Sequence, residues 1–316
     1  MELCLFTDSA PELTFEDALD LAVRVGATAV EIAGGGQSSA PHLRLAELLE
    51  DERRRSDFAA AVDRRGLRVA ALNCSAWPLH PVIGPNHVKI IRDTIRLAGL
   101  LGVTKIVTMS GTTGDGPGAT TINWTWYPGP DDQASLLERQ WDHAIETWRE
   151  LGRFALDHGV TRVCFELHPQ NLVYNVPTFQ RIHEAVGEPL AVNLDPSHFF
   201  WQGIDPLASI RALGGAVGHA HLKDTEIDAT EVALAGVLDD RPFARGARRA
   251  WQFRTVGAVH DAGWWASFIG ALQDAGYDDV VSIENEDLTL AEVEGVEASA
   301  AFIRPIIAAA GRDVAS

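Results

Sequence analysis

The sequence predicts a (β/α)8 barrel, a single domain over residues 1–316, with long loops after its fourth and seventh strands. Three observations lead there. Short apolar runs alternate with amphipathic stretches along the whole chain, which means parallel strands joined by helices. A glycine closes most of the amphipathic stretches just before the next apolar run. Ionisable side chains then end four consecutive strands, and a parallel barrel gathers all its strand ends on one rim. A doubly wound open sheet is the competing architecture, but no GxGxxG fingerprint follows the first strand.

The strands follow in order. LCLFTD opens the chain. Gly26 precedes TAVEIA, Gly66 precedes RVAALN, and Gly102 precedes KIVTMS. Gly159 precedes TRVCFEL, Gly187 precedes LAVNLD, Gly214-Gly215 precede VGHAHL, and Gly276 precedes DVVSIE, which completes eight strands. Glycine just past a helix end takes a left-handed conformation at little cost. Helix starts fall between them: Thr14 with Asp17, Ser56, the capping box of Ser135 with Glu138 ahead of a helix to about His158, Asp205-Pro206, and Thr289 with Glu292. Two connections are too long for plain linkers. One runs from Gly111 to about Asp132 and carries Asn123-Trp-Thr-Trp-Tyr-Pro128; the other runs from Thr225 to about His260 and is rich in arginine. Long loops after barrel strands are where such enzymes read their substrates.

Composition limits the function classes. The 44 acidic residues outnumber 26 basic ones, for a net charge of −18, which argues against nucleic-acid or anionic-membrane partners. Cys4, Cys74 and Cys164 each lie in an apolar strand and show no CxxC spacing, so buried thiols are expected rather than zinc or redox chemistry. The start Met1-Glu-Leu-Cys lacks the basic flank of a signal peptide, and no apolar run is long enough to span a bilayer; a cytoplasmic protein is the expectation.

The stretch Val163-Cys-Phe-Glu-Leu-His-Pro169 anchors the functional reading. Alternation along a strand puts Glu166 and His168 on one face, with Cys164 deeper on it. Ionisable groups on an apolar strand are costly unless paired. Asp195, His221 and Glu284 end the next three strands in the same way. Two carboxylates about 4 Å apart repel by roughly 4 kcal/mol at an effective dielectric of 20, and a divalent cation relieves all of that repulsion. An oxygen-rich set with one nitrogen favours Mn²⁺, Mg²⁺ or Co²⁺ over zinc. The same periodicity adds Asn193, His219 and Glu286 as face-sharing neighbours; His219 reads as an interior histidine with its hydrogen bond satisfied. Lys223 and Asp224 read as an ion pair at the rim, with direct chemistry by Lys223 as the other option.

The motifs FELHP, NLDPSHFFWQGIDP, HAHLKDTEID, WQFRTVGAVHD and GYDDVVSIENED, taken together, resemble the sugar-phosphate isomerase/epimerase group of the xylose-isomerase-like TIM barrels over nearly the whole chain. The resemblance implies a divalent metal, commonly Mn²⁺, on Glu166, Asp195, His221 and Glu284. It implies a functional histidine at His198 and an arginine at Arg254. A longer branch, similar to the large subunit of C-glycoside deglycosidases, shares the two long loops and works with a small partner subunit on 3-keto glycosides. Its usual GYGHD motif is Gly257-Ala-Val-His260-Asp261 here. No Gly-rich phosphate cradle is visible, so a phosphorylated substrate is not expected.

The chemistry this implies is proton abstraction beside the carbonyl of a keto sugar or 3-keto glycoside through a metal-stabilised enediolate. Glu166 and Glu284 are the candidate base and acid, and His168 and His198 the candidates for protonating a leaving group or acting as base. His80, Trp124, Tyr127, Trp201, Lys223 and Arg254 are the candidate substrate contacts, since apolar sugar faces pack on aromatic rings. The alternatives are a lyase, as the catalytic subunit of a C-glycoside deglycosidase; an endonuclease of the same barrel class, opposed by the acidic composition; and a non-catalytic sugar-binding subunit. The expected partner is a small sugar or glycoside, and the chain is expected to form a homo-oligomer, with a small second subunit possible.

Overall fold

The computed structural model describes residues 1–127 and 129–313. Eight parallel strands close a barrel in the order β1 (Glu2–Phe6), β10 (Val280–Ile283), β7 (Val217–Leu222), β6 (Leu190–Leu194), β5 (Arg162–Glu166), β4 (Lys105–Thr108), β3 (Arg68–Asn73), β2 (Ala29–Ala33). The remaining strands, β8 (Asp224–Ile227) and β9 (Trp251–Arg254), pair antiparallel outside it. All eight barrel strands are those the sequence predicts. By internal contacts the chain divides into two compact units, one of Met1–Glu31, Val62–Arg68 and the chain from Leu194 onward, the other of Ile32–Ala61 and Val69–Asn193. Among the described residues no helix is long and apolar enough to cross a membrane.

In the first unit, β10 lies between β1 and β7, and the register aligns Cys4, Ser282 and His221 in one row. Parallel neighbours in register point the same way, so this row carries the face on which Glu284 follows Ser282. Helix α1 (Phe15–Arg24) starts as predicted, with the Asp17 N–H donating to Thr14 Oγ1 at 3.2 Å. The short α7 (Pro196–Phe200) is capped by Asp195, and α8 (Pro206–Leu213) by Asp205. The loop after β7 is not irregular. It holds the β8–β9 hairpin, in which Thr225 faces Phe253 and Asp224 faces Arg254, and the short helix α9 (Ala229–Ala235), capped by Asp228. Helices α10 (Ala262–Asp274) and α11 (Glu292–Asp313) complete the unit; the Thr289 hydroxyl donates to Asp287 at 2.6 Å instead of capping α11.

In the second unit the registers Val107–Cys164 and Cys164–Ala191 align a row of small apolar side chains, which Ala71 joins in one buried cluster. Burial pushes the Cys74 thiol up to about 12, so it stays protonated, and all three cysteines are buried thiols outside any disulfide. Helices α2 (Leu45–Glu50) and α3 (Glu52–Asp63) follow β2. Helix α3 begins one turn before Ser56, because Asp51 Oδ1 accepts the N–H groups of Arg53 and Arg54 at 2.9 and 3.1 Å. Helix α4 (Gly84–Leu101) ends at Gly102, whose φ of 70° and ψ of 17° are the expected left-handed stop. Helix α5 (Asp131–Asp157) starts after Pro130, so Ser135 and Glu138 lie inside it and form no capping box; Asp131 and Asp132 in its first turn suit the positive helix end, and Glu138 pairs with Arg181. The loop after β4 is tied down by polar side chains. Gly111 N–H donates to Asn171 Oδ1 at 2.9 Å, Trp124 Nε1 to the Asn171 carbonyl at 3.0 Å, and Gln140 Nε2 to the Asn123 carbonyl at 2.8 Å. Pro128, the last residue of the predicted aromatic motif there, lies outside the described residues. Helix α6 (Val176–Val186) is capped by Asn175.

Candidate metal centre

Three ends in the first unit supply the centre. β7 alternates so that His219 and His221 share one face, and Lys223 follows two residues later on the same side. β10 stops at Ile283, leaving Glu284 as the next residue. β6 stops at Leu194, and Asp195 turns the chain into α7 with its Oδ1 accepting the Ser197 N–H at 2.9 Å. The cap holds one carboxylate oxygen and leaves Oδ2 for other work. His221 Nδ1 then lies 3.0 Å from Glu284 Oε2, and Lys223 Nζ lies 2.6 Å from Glu284, 3.1 Å from Asp195 and 2.7 Å from Glu286. On its other edge His221 Nε2 meets Glu31 Oε2 at 3.0 Å, and His219 Nε2 donates to the same oxygen at 2.8 Å. Phe6 stacks on His221 with ring centroids 5.8 Å apart.

These side chains are charged at a cost. Glu31, Asp195, His219 and His221 are fully buried, and Glu284 is 14% exposed. Burial works against each carboxylate, yet His221 and His219 hold Glu31 well below the usual range. Lys223, with help from His198, lowers Asp195, and Lys223 and His221 hold Glu284 well below the usual carboxylate range. Burial pulls His221 down, but Glu31 and Glu284 together raise it well above the ordinary imidazole value. The carboxylates therefore stay ionised, the form in which they bind cations.

The donor set fits a divalent cation. Asp195, His221 and Glu284 each offer one ligand atom within 4.8 Å of one another. Without a cation, Glu31 and Glu284 keep His221 protonated and each takes one of its N–H groups, at 3.0 Å on either edge. A cation would take the place of the proton between Nδ1 and Glu284, since a histidine ligand binds in its neutral form, and Asp195 Oδ2, buried without a hydrogen bond of good geometry, is a further oxygen for it.

The second unit carries Glu166 at the end of β5, only 3% exposed, and pairs it in register with Asn193 of β6. Asn193 is fully buried, and among the described residues neither atom of its side-chain amide has a hydrogen bond. His168 is turned toward its own chain, with Nδ1 2.5 Å from the Pro169 carbonyl. His80 is occupied locally: its Nδ1 accepts from the Val82 and Ile83 N–H groups, and its ring stacks on Trp77. Trp124 packs edge-on against Tyr174, while Tyr127 is 68% exposed.

The remaining candidates lie in the first unit. His198 is buried, 3.4 Å from Asp195 Oδ2 and edge-on to Phe253. Trp201 lies flat against Trp251, ring centroids 4.5 Å apart, so packing takes up the ring expected to meet a sugar. Arg254 bonds to Glu226 at 2.6 Å across the hairpin and approaches Asp287 at 3.6 Å. The expected ion pair of Lys223 with Asp224 does not form. Consecutive strand residues point to opposite faces; Lys223 turns to Asp195 and Glu284, whereas Asp224 binds His260 Nδ1 at 2.6 Å and accepts the N–H groups of Gly257, Val259 and His260. His219 is interior, as expected, and its Nε2 bonds to Glu31. The residue that sequence reasoning missed is Glu31. Its signal was an acid in the otherwise apolar run TAVEIA, the same kind of signal that marked Glu166.

Comparison with known proteins agrees with this architecture. The chain is 39% identical over 311 residues to the uncharacterized protein YfiH of Bacillus subtilis (strain 168), covering 97% of this chain and 99% of that one. Among solved structures it resembles an L-ribulose 3-epimerase (TM-score 0.64, 17% identity, 99% and 96% of the two chains) and an IolI protein with a bound zinc atom (TM-score 0.66, 20% identity, 98% and 99%). With its closed eight-stranded barrel and a family model matched over residues 19–306, the chain belongs to the xylose isomerase-like TIM barrels.

Proposed function

We propose that the chain is a divalent-metal-dependent sugar isomerase or epimerase, acting as one barrel domain, that removes a proton beside the carbonyl of a keto sugar or 3-keto glycoside. The observation that carries this is the convergence of Asp195, His221 and Glu284, with ligand atoms within 4.8 Å of one another. Glu166 is the proposed fourth ligand: the β5–β6 register sets it beside Asn193, two residues before Asp195. The carboxylate-rich set favours Mn²⁺, with Mg²⁺ and Co²⁺ next; the zinc of the IolI protein makes Zn²⁺ the competitor to include. The L-ribulose 3-epimerase likeness supports a sugar as substrate.

A cation there supplies positive charge where an oxyanion develops beside the reacting carbon. The protein's own groups do the rest. Glu166 and Glu284 take and return the proton, Glu284 being kept ionised by Lys223 and His221. The Lys223 ammonium, fixed by Asp195 and Glu284, adds a positive donor beside the same carboxylates. The test is a panel of ketoses, 3-keto sugars and 3-keto glycosides with Mn²⁺ in D₂O. Deuterium uptake at carbon without loss of a group is expected. It should vanish with a chelator and return with Mn²⁺. Release of an aglycone would assign the lyase outcome of the deglycosidase branch instead, and turnover that survives chelation would remove the metal from the scheme.

A further inference from the structure

Glu31 is the one fully buried carboxylate of this cluster that the proposed chemistry leaves without a task. It ends the first unit's share of β2, and its Oε2 is shared by two imidazoles, His219 Nε2 at 2.8 Å and His221 Nε2 at 3.0 Å. We infer that Glu31 is a positioning residue that keeps a proton locked on Nε2 of His221, so that Nδ1, facing Glu284, is the edge that exchanges its proton for a cation, and that His219 braces Glu31 in that role. This rests on the reading of His221 as a metal ligand.

The geometry leaves little freedom. A neutral imidazole carries one N–H, and its position decides which edge can bind a cation. Both edges of His221 face a carboxylate, Glu31 at 3.0 Å and Glu284 at 3.0 Å, but only Glu284 belongs to the proposed ligand set, so a cation displaces the Nδ1 proton and Glu31 keeps the one on Nε2. The opposite tautomer would set a bare nitrogen against Glu31 and aim its proton at Glu284, blocking ligation there. Phe6 stacks on the ring within 20° of parallel, so the ring plane is held as well as the tautomer. His219 lies two residues earlier on the same strand face, fully buried, and fixes the Glu31 oxygen that His221 uses. Metal-ligating histidines commonly give their second N–H to a carboxylate, and loss of that partner costs about 10- to 100-fold in metal affinity. Glu31, His219 and His221 also lie close enough to form a cation group of their own. Filled together with the first centre, that group would need both nitrogens of His221 as ligands at once, and it supplies one carboxylate only, so the positioning role is the better assignment.

The experiment is a calorimetric Mn²⁺ titration of the full chain, with folding followed separately by circular dichroism in chelator. Wild type is expected to bind one Mn²⁺ per chain. Glu31→Gln should keep the fold and bind about 10- to 100-fold more weakly, and His219→Asn should weaken binding by less. Binding by Glu31→Gln within twofold of wild type, or two cations per wild-type chain, overturns the inference. Should Glu31→Gln fail to fold, ¹⁵N-histidine NMR of the wild-type protein loaded with Zn²⁺ decides: Nε2 protonated and Nδ1 metal-shifted supports the lock, and the reverse assignment sinks it. Asp195→Asn separates the two levels. If wild type binds no cation, or Asp195→Asn binds as wild type does, the metal centre itself fails; if only Glu31→Gln is silent, the centre stands and the lock falls.

Discussion

Two rows of barrel side chains, one in each unit, use the same strand alternation for opposite ends. In the second unit the row of Ala71, Val107, Cys164 and Ala191 is small, apolar and fully buried. In the first unit the row through Cys4, Ser282 and His221 carries an imidazole that two carboxylates grip, Glu31 on one edge and Glu284 on the other. The apolar row needs no compensation. The polar one buries ions whose desolvation costs several kcal/mol each after relaxation, and it is tolerable only because Lys223 and the histidines answer the carboxylates. The difference implies a division of labour: substitutions around the apolar row should cost stability, and substitutions at the charged ends should cost chemistry.

The sharpest break of that contrast is Asp195→Asn. Asparagine keeps an oxygen for the Ser197 N–H, so the start of α7 survives, while one charge facing Lys223 is lost. Turnover should fall below detection, and Mn²⁺ affinity should fall by at least the 10- to 100-fold that mere outer-shell losses cost. A thermal midpoint close to wild type alongside that loss would place the effect in function. A variant that retains both activity and metal would collapse the contrast.

Trp148→Ala is the converse. Trp148 is fully buried on α5, edge-on to Phe165 with centroids 4.4 Å apart, and its Nε1 donates to the Ser110 carbonyl at 2.9 Å. Phe165 points away from the face that holds Cys164, so this is packing behind the apolar row. Truncation should cost about 3–5 kcal/mol in urea unfolding, with Mn²⁺ affinity of the folded fraction unchanged. A large loss of affinity with little loss of stability would reverse the assignment.

How far the sequence reveals these rows follows from the range of each signal. Strand alternation and glycine stops are local, so the eight barrel strands and the ends at Glu166, Asp195, His221 and Glu284 were legible. Capping is local but ambiguous. Asp51 outcompetes Ser56, and Pro130 with Asp131 starts α5 before Ser135, because several cap-forming residues lie within one turn of each other. The β8–β9 hairpin, with Arg254 on Glu226, and the Trp201–Trp251 stack join residues far apart in the chain, and no spacing rule announces them. Lys223 and Asp224 misled through adjacency, since neighbours on a strand face opposite ways. Glu31 was hidden because its partners, His219 and His221, lie at the other end of the sequence.

The smallest expected effect concerns His198, which approaches Asp195 but lies outside the proposed ligand set. Burial is the largest influence on its ring and lowers it from the ordinary 6.5 to about 4, against the pull of Asp195. The folded protein therefore keeps His198 neutral between those values while the unfolded chain takes up a proton. Between pH 6.5 and 4 the unfolded state binds more protons, so stability falls as pH falls. Between pH 7 and pH 5 this group should cost on the order of 2 kcal/mol. Urea unfolding of wild type and His198→Asn at both pH values isolates the contribution: the wild type should lose about that much more than the variant on acidification. Equal losses would mean that the ring is protonated in the fold and paired with Asp195 as an ion, which would move His198 from the packed surroundings of the centre into its charge balance.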